Sequence, residues 1–242
     1  MSLAKHQYKD YKNLGQFFQN EKIFVFFGNK NCTKEILLQE FSDFTFVEVN
    51  QKHTDILHPT STDLNHFSNE RWFTYNTIAD AISTTLSKVA LVIKTADCLP
   101  ILVHDLDFKT IYSIHAGWRG VENQITKKSL INCSSNLHAF IGPHIQQDQF
   151  EVDDDVYSEL LNMIKNSKRH FSKSELLEIF QFKNKKYHIN LSKIVINCSF
   201  EPFSTNIQML ISSIDTKLDL NFNSFRRDKN QSSRNYSFIL IK

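Results

Sequence analysis

At 242 residues, with 41% hydrophobic and 22% charged residues, the chain is long enough for one substantial core and too apolar for a disordered segment. A formal charge of +2 leaves no cation excess for a nucleic-acid footprint, so the short basic patches imply small anions or solvent instead. The four cysteines show no C-x-x-C spacing and no apolar run is long enough to span a bilayer, which excludes a disulfide scaffold and a membrane protein.

The first residues, MSLAKHQYKD, lack the apolar core of a secretory signal, which predicts a cytoplasmic protein, and residues 1–20 read as a partly helical or irregular lead-in. A strand over 23–27 runs into Gly28-Asn29, a pair suited to a turn. Thr33 is placed to cap a short helix over 33–41, with Glu35 in its first turn. Thr45–Asn50 alternates as a strand and leads directly into Gln51 and His53, and the polar stretch 60–65 reads as a loop.

Val89–Thr95 is apolar on both faces, the pattern of a strand buried on both sides, and it delivers Asp97 and Cys98. A turn at 105–109 precedes a second apolar run, 110–114, which delivers His115 ahead of Ala116-Gly117. The two runs read as one hairpin in which Cys98 and His115 meet. Further elements are a helix over 121–132, a strand at Leu137–Ile141 stopped by Gly142-Pro143 before His144, and a helix over 156–166 with negative charge at its start from 153–155. A strand over 187–191, a helix from Ser192 to Phe200, a break at Pro202, a short apolar segment over 206–211 and a last strand over 236–241 complete the chain. No internal repeat or linker divides it, which predicts a single domain over 1–242.

Taken singly, Cys98 is ordinary as a small buried residue, His53 as a loop histidine, and Arg119 as a partner for the Trp118 ring. Together, Cys98, His115 and His53 make a set of three ligands that leaves a fourth position open, the arrangement of a catalytic rather than a structural zinc site. Metal-bound imidazole needs an oriented oxygen partner; Asp80 and Asp97 are candidates for that role or for proton transfer, and for Asp97 the orienting role is preferred. Guanidinium forks at Arg226, Arg227 and Arg234 suit phosphate oxygens.

TADCLPILV followed by HAGWRG, with Asn50-Gln51-Lys52-His53, Ala79-Asp80-Ala81, the FNSFRRDK of 222–229 and Arg234, resembles the YfiH (laccase-domain) family, whose members are described as polyphenol oxidases or purine nucleoside phosphorylases. The resemblance implies an α+β fold with mixed β-sheets packed together and flanked by helices. It also implies zinc, with copper possible, at His53, Cys98 and His115; catalytic roles for Cys98, Asp97 and Arg119; and phosphate or purine contacts from Arg226, Arg227, Arg234 and Trp118. The substrates would be a nucleoside and phosphate, in phosphorolysis and in deamination of adenosine, with no nucleic-acid or membrane partner and an oligomeric state that the residues leave open. Oxidation of phenols at copper, hydrolysis of cell-wall precursor amides and a non-catalytic metal-stabilised protein are the alternatives. Two places depart from the family: a shortened segment around Phe27-Gly28-Asn29-Lys30, and Asp215-Thr216 where many members carry Cys-Thr.

Overall fold

The computed structural model describes residues 7–60, 63–67, 70–167, 169–203 and 206–242. Runs rich in Phe, Ile and Val form strands that fall into three sheets. The first has seven strands in the order β1 (Lys9–Asp10), β2 (Gly15–Gln19), β3 (Ile23–Gly28), β16 (Asn235–Ile241), β8 (Val89–Thr95), β4 (Thr45–Asn50) and β6 (Trp72–Ile78). Within it β4 lies parallel to both β6 and β8, so these three strands end on the same side.

The second sheet has six strands in the order β15 (Ile207–Ile211), β11 (Leu137–Ile141), β9 (Leu99–Asp105), β10 (Thr110–Ala116), β7 (Ala81–Thr84) and β5 (Leu57–Pro59). A third, small sheet joins β12 (Glu151–Val152), β14 (Lys186–Ile189) and β13 (Phe180–Lys183). Side-chain alternation sorts the apolar residues into layers. Val25, Phe27, Val47, Leu91 and Ile239 from the seven-stranded sheet meet Leu102, Ile111 and Phe140 from the six-stranded one. The opposite face of the larger sheet, with Phe26, Phe46 and Phe238, lies under Leu37 of α1 (Lys34–Glu40). The far face of the six-stranded sheet packs on α2 (Trp118–Glu122), α3 (Ile125–Ser129), α4 (Asp154–Lys165), α5 (Lys173–Ile179) and α6 (Leu191–Ser199). The fold is α+β, with mixed sheets packed together and flanked by helices, as expected. No described helix is long and apolar enough to cross a membrane.

Several local expectations change. The hairpin read from 89–95 and 110–114 is not one, because these runs belong to different sheets; β10 pairs instead with β9, and residues 96–98 carry the chain between the sheets. The lead-in forms two strands, because Phe17 and Phe18 alternate with partners on β3, while residues 1–6 lie outside the described ones. Of the 60–65 loop, residues 61–62 lie outside the description, and Leu64–Phe67 is a 3-10 turn. The helix expected over 121–132 is split in two by Gln124, which sits in the left-handed region. Asn190, not Ser192, caps α6. A helix that went unread, α5, begins in a capping box between Ser172 and Glu175.

Candidate metal centre

Three side chains carried by the ends of three strands come together. His53 lies just beyond the end of β4, Cys98 just beyond the end of β8, and His115 is the penultimate residue of β10. The parallel run of β4, β8 and β6 also brings Asp80, which follows β6, to the same place. The donor atoms of His53, Cys98 and His115 all lie within 4.8 Å of one another. Cys98 Sγ is 3.9 Å from His53 Nε2, and the two imidazole rings stand edge to face with centroids 4.8 Å apart. His53 is exposed, Cys98 half-buried and His115 buried, so the group opens toward solvent on one side.

Backbone strain and a close glycine hold this geometry. His53 has φ 60° and Asp97 φ 86°, conformations that L residues adopt at a cost and that the surrounding structure must therefore enforce. At Gly117 any Cβ would stand 2.9 Å from His53 Cδ2 and 3.0 Å from Cys98 Sγ, so only glycine leaves the thiol and imidazole their room.

Asp80 organises the group from behind. Its Oδ1 accepts from His115 Nδ1 at 2.7 Å, and its Oδ2 accepts from the Thr54 amide at 2.6 Å, the Thr54 hydroxyl at 2.8 Å and the Lys52 amide at 3.1 Å. One carboxylate thus fixes both the loop that carries His53 and the ring of His115. Because a carboxylate only accepts, His115 carries its hydrogen on Nδ1 and turns Nε2 toward Cys98 and His53. Burial pushes the Asp80 carboxyl up, but the bonds from His115 and Thr54 outweigh it and hold it at about 2. Burial likewise opposes ionisation of Cys98, yet the charges and hydrogen bonds of His115 and His53 draw its thiol below the usual range. His115 is pushed down by burial and, more strongly, up by Cys98 and Asp80.

This donor set fits a zinc ion. Thiolate and imidazole are its preferred ligands, and bonds of about 2.0–2.3 Å would draw the donors together only modestly from their present spacing. The same donors accept copper.

Asp97, one of the two carboxylates expected from sequence to orient an imidazole, does other work. It accepts from Thr216 Oγ1 at 2.7 Å and from the Arg226 amide at 2.6 Å, tying the turn before Cys98 to α7 (Phe225–Asp228). Thr216 belongs to the pair that departs from the family pattern. Arg226 and Arg227 both lie on this helical turn. Arg226 donates to Glu151 O at 2.8 Å and lies over Phe150, while Arg227 is spent on Asp228 and on the carbonyls of Thr216, Lys217, Asp219 and Phe222. Arg119 stacks on Trp118 at 4.4 Å, and Trp118 packs on the helix side of the six-stranded sheet. His144 is buried, with Nδ1 donating to Gly142 O at 2.8 Å.

His53, Cys98 and His115 border a cleft of about 770 Å³, and Arg234 is the one arginine among its lining residues. Tyr75, Tyr236, Phe225 and Lys94 line it too, none of them singled out from sequence. Their signal was strand register: Lys94 and Tyr236 are directly opposed across β8 and β16, and both sit on the polar half of an otherwise apolar face.

The fold is thus an α+β sandwich that carries at its strand ends an open Cys/His/His group able to hold a metal ion. The chain belongs to the family described as multi-copper polyphenol oxidoreductase laccase, whose model matches residues 6–242. It is 26% identical over 200 residues to a purine nucleoside phosphorylase of Clostridium acetobutylicum, covering 79% of this chain and 75% of that protein. A purine nucleoside phosphorylase of Rickettsia prowazekii is 40% identical over 100 residues; that match covers 40% of this chain and 42% of the relative. An adenosine deaminase from an unknown prokaryotic organism is 32% identical over 123 residues, covering 48% of this chain and 38% of that protein. YlmD of Geobacillus stearothermophilus shares the fold, with a TM-score of 0.78 at 16% identity over 97% of this chain and 98% of that one.

Proposed function

We propose that the chain is a metal-dependent purine nucleoside enzyme that splits the glycosidic bond of nucleosides with phosphate and deaminates adenosine. The observation that carries this reading is the His53, Cys98 and His115 group, held by Asp80 and opening on a cleft whose volume suits a small-molecule site. The names of the similar proteins supply the substrate class.

His53, Cys98 and His115 would hold zinc, with copper as the alternative ion. When bound, the ion supplies a Lewis acid that acidifies water near neutral pH. Asp80 keeps His115 in one tautomer and fixes the ring, so the donor set is ordered before the substrate arrives. Tyr75, Tyr236 and Phe225 give the cleft the aromatic surface a purine base needs. In phosphorolysis the bond between the ribose anomeric carbon and the base breaks, a phosphate oxygen bonds that carbon, and the electron pair leaves with the base. In deamination water replaces the exocyclic amine of adenosine, which leaves as ammonia.

Oxidation of phenols at copper is a second reading, drawn from the family's description. Against it, the described residues contain a single group of three or more candidate ligands, where a multi-copper centre needs several. Product analysis of metal-loaded protein with adenosine, inosine, a phenol and a cell-wall precursor amide, each with and without phosphate, separates these activities. The expected products are inosine from adenosine without phosphate, and free base with ribose phosphate when phosphate is present. A folded, metal-loaded chain that converts neither nucleoside at any phosphate concentration contradicts the reading. Removal of the metal distinguishes a non-catalytic role, because a purely structural ion would take the fold with it.

A further inference from the structure

The outer face of the seven-stranded sheet changes character along its strands. Phe46, Ala90 and Val92 lie in the apolar layer beneath α1, but the next positions on the same face are Glu48 on β4 and Lys94 on β8, beside Thr74 on β6 and Tyr236 on β16. Arg234 stands two residues before Tyr236, just ahead of β16, and borders the same cleft as Lys94. Both cations line the cleft that contains His53, Cys98 and His115.

Each cation is held in place yet keeps donors free. Lys94 Nζ is 3.0 Å from Glu48 Oε2, and the other oxygen of Glu48 accepts from Thr74 Oγ1 at 3.1 Å. The two form an ion pair by distance without a hydrogen bond to Oε2, so the ammonium keeps its donors for a ligand. Arg234 uses Nη1 on the carbonyls of Ser233, at 2.7 Å, and Asn230, at 3.5 Å. Its Nε and Nη2, the edge that grips an oxyanion in bidentate fashion, have no hydrogen-bond partner among the described residues. Two cations against one buried carboxylate leave this face of the cleft net positive. Arg227, by contrast, has committed its whole guanidinium group to the chain itself, and Arg226, which spends Nη1 on Glu151 O, does not line the cleft.

We propose that Lys94 and Arg234 form the oxyanion site of the cleft and take orthophosphate or the phosphate group of a phosphomonoester. The choice of phosphate as the anion rests on the nucleoside reading above. The positioning of Lys94 by Glu48 and Thr74 does not.

Calorimetric titration of the full chain with inorganic phosphate tests this, first with the metal removed by chelation and then after zinc loading, so that binding to the ion is separated from binding to the clamp. Lys94→Met and Arg234→Gln are each expected to weaken phosphate binding by roughly ten- to hundredfold. Lys94→Arg, which keeps the charge, should recover most of it, and Arg226→Ala should bind as the wild type does. Circular dichroism confirms that each variant is folded. Parallel titrations with adenosine and adenosine 5′-monophosphate identify the source: a monophosphate advantage lost in the same two variants assigns the site to a phosphomonoester, and no such advantage assigns it to orthophosphate. Wild-type protein that binds neither phosphate nor the monophosphate, variants that bind as tightly as wild type, or loss of binding in Arg226→Ala instead would overturn the proposal. If phosphate binds with this pattern and no nucleoside is converted, the clamp stands and the nucleoside reading falls.

Discussion

Asp80 shows how much of a site can rest on one residue that touches no substrate. Its carboxylate accepts hydrogen bonds from His115, Lys52 and Thr54, so it joins two of the three candidate metal ligands into one rigid unit. Replacing it by alanine leaves the buried His115 ring without its partner, a loss of about 1–3 kcal/mol, and frees two less buried backbone amides at a smaller cost. Asp80→Ala is therefore expected to lower the melting temperature by many degrees and to weaken zinc binding by about 10–100-fold in whatever protein remains folded. Competition against a chromophoric chelator measures the second effect; unchanged zinc affinity would show that Asp80 does not orient the site. Sequence left Asp80 and Asp97 both as candidates for this role. The choice is decided by which carboxylate the fold carries behind His115, and β6, not the Cys98 turn, delivers it.

At the scale of elements, the loop after β4 has to leave the sheet in order to present His53, and the ladder to β8 stops at the Glu48 and Val92 pair. The side chain of Gln51 takes over from the missing strand. Its Oε1 accepts from the Lys94 amide at 2.8 Å and its Nε2 donates to the Lys94 carbonyl at 2.9 Å, so an amide side chain imitates one rung of backbone pairing. Gln51→Leu should then loosen the His53 loop more than the sheet. The expected outcome is a fall in zinc affinity with a change in melting temperature of only a few degrees, as for the loss of about 1–3 kcal/mol. Retention of full zinc affinity would mean that the loop is held by Asp80 alone. The spacing of Gln51 and His53 was visible in the sequence, but this use was not, because it depends on where β4 parts from β8.

The whole molecule is two large sheets face to face, and that layering accounts for what could and could not be read beforehand. Strands such as Thr45–Asn50, Val89–Thr95 and Leu137–Ile141 were legible because buried faces demand apolar, β-branched runs, and the ligands were legible because each directly follows or ends such a run. The assignment of strands to sheets was not, since β8 and β10 have similar patterns yet lie in different layers. The cleft face was equally hidden, because Lys94, Tyr236 and Arg234 meet only through pairing between distant parts of the chain.

The layering also buries two imidazoles, and this sets a pH limit on stability. His104 of β9 and His138 of β11 are opposed across the six-stranded sheet, both buried, with neither Nδ1 hydrogen-bonded among the described residues. Burial, with the charges of His138 and Lys22, pushes His104 down to about 4, and burial also lowers His138. Between about 6.5 and 4 the unfolded chain therefore binds protons that the folded one does not, so this contribution is present in full above about pH 6.5 and is lost as pH falls toward 4. His104 alone accounts for roughly 3 kcal/mol. Denaturant unfolding followed from pH 7 to pH 4 should show a fall of that order, reduced in His104→Leu; equal slopes in the two proteins would contradict it.

The central claim is that three strand ends assemble one metal site from His53, Cys98 and His115. Elemental analysis of the full chain after chelation and reconstitution with zinc, compared with Cys98→Ala, tests it most directly. One zinc per chain in the wild type and a clear loss in the variant are expected; no bound metal in the wild type, or an unchanged content in Cys98→Ala, contradicts the assignment.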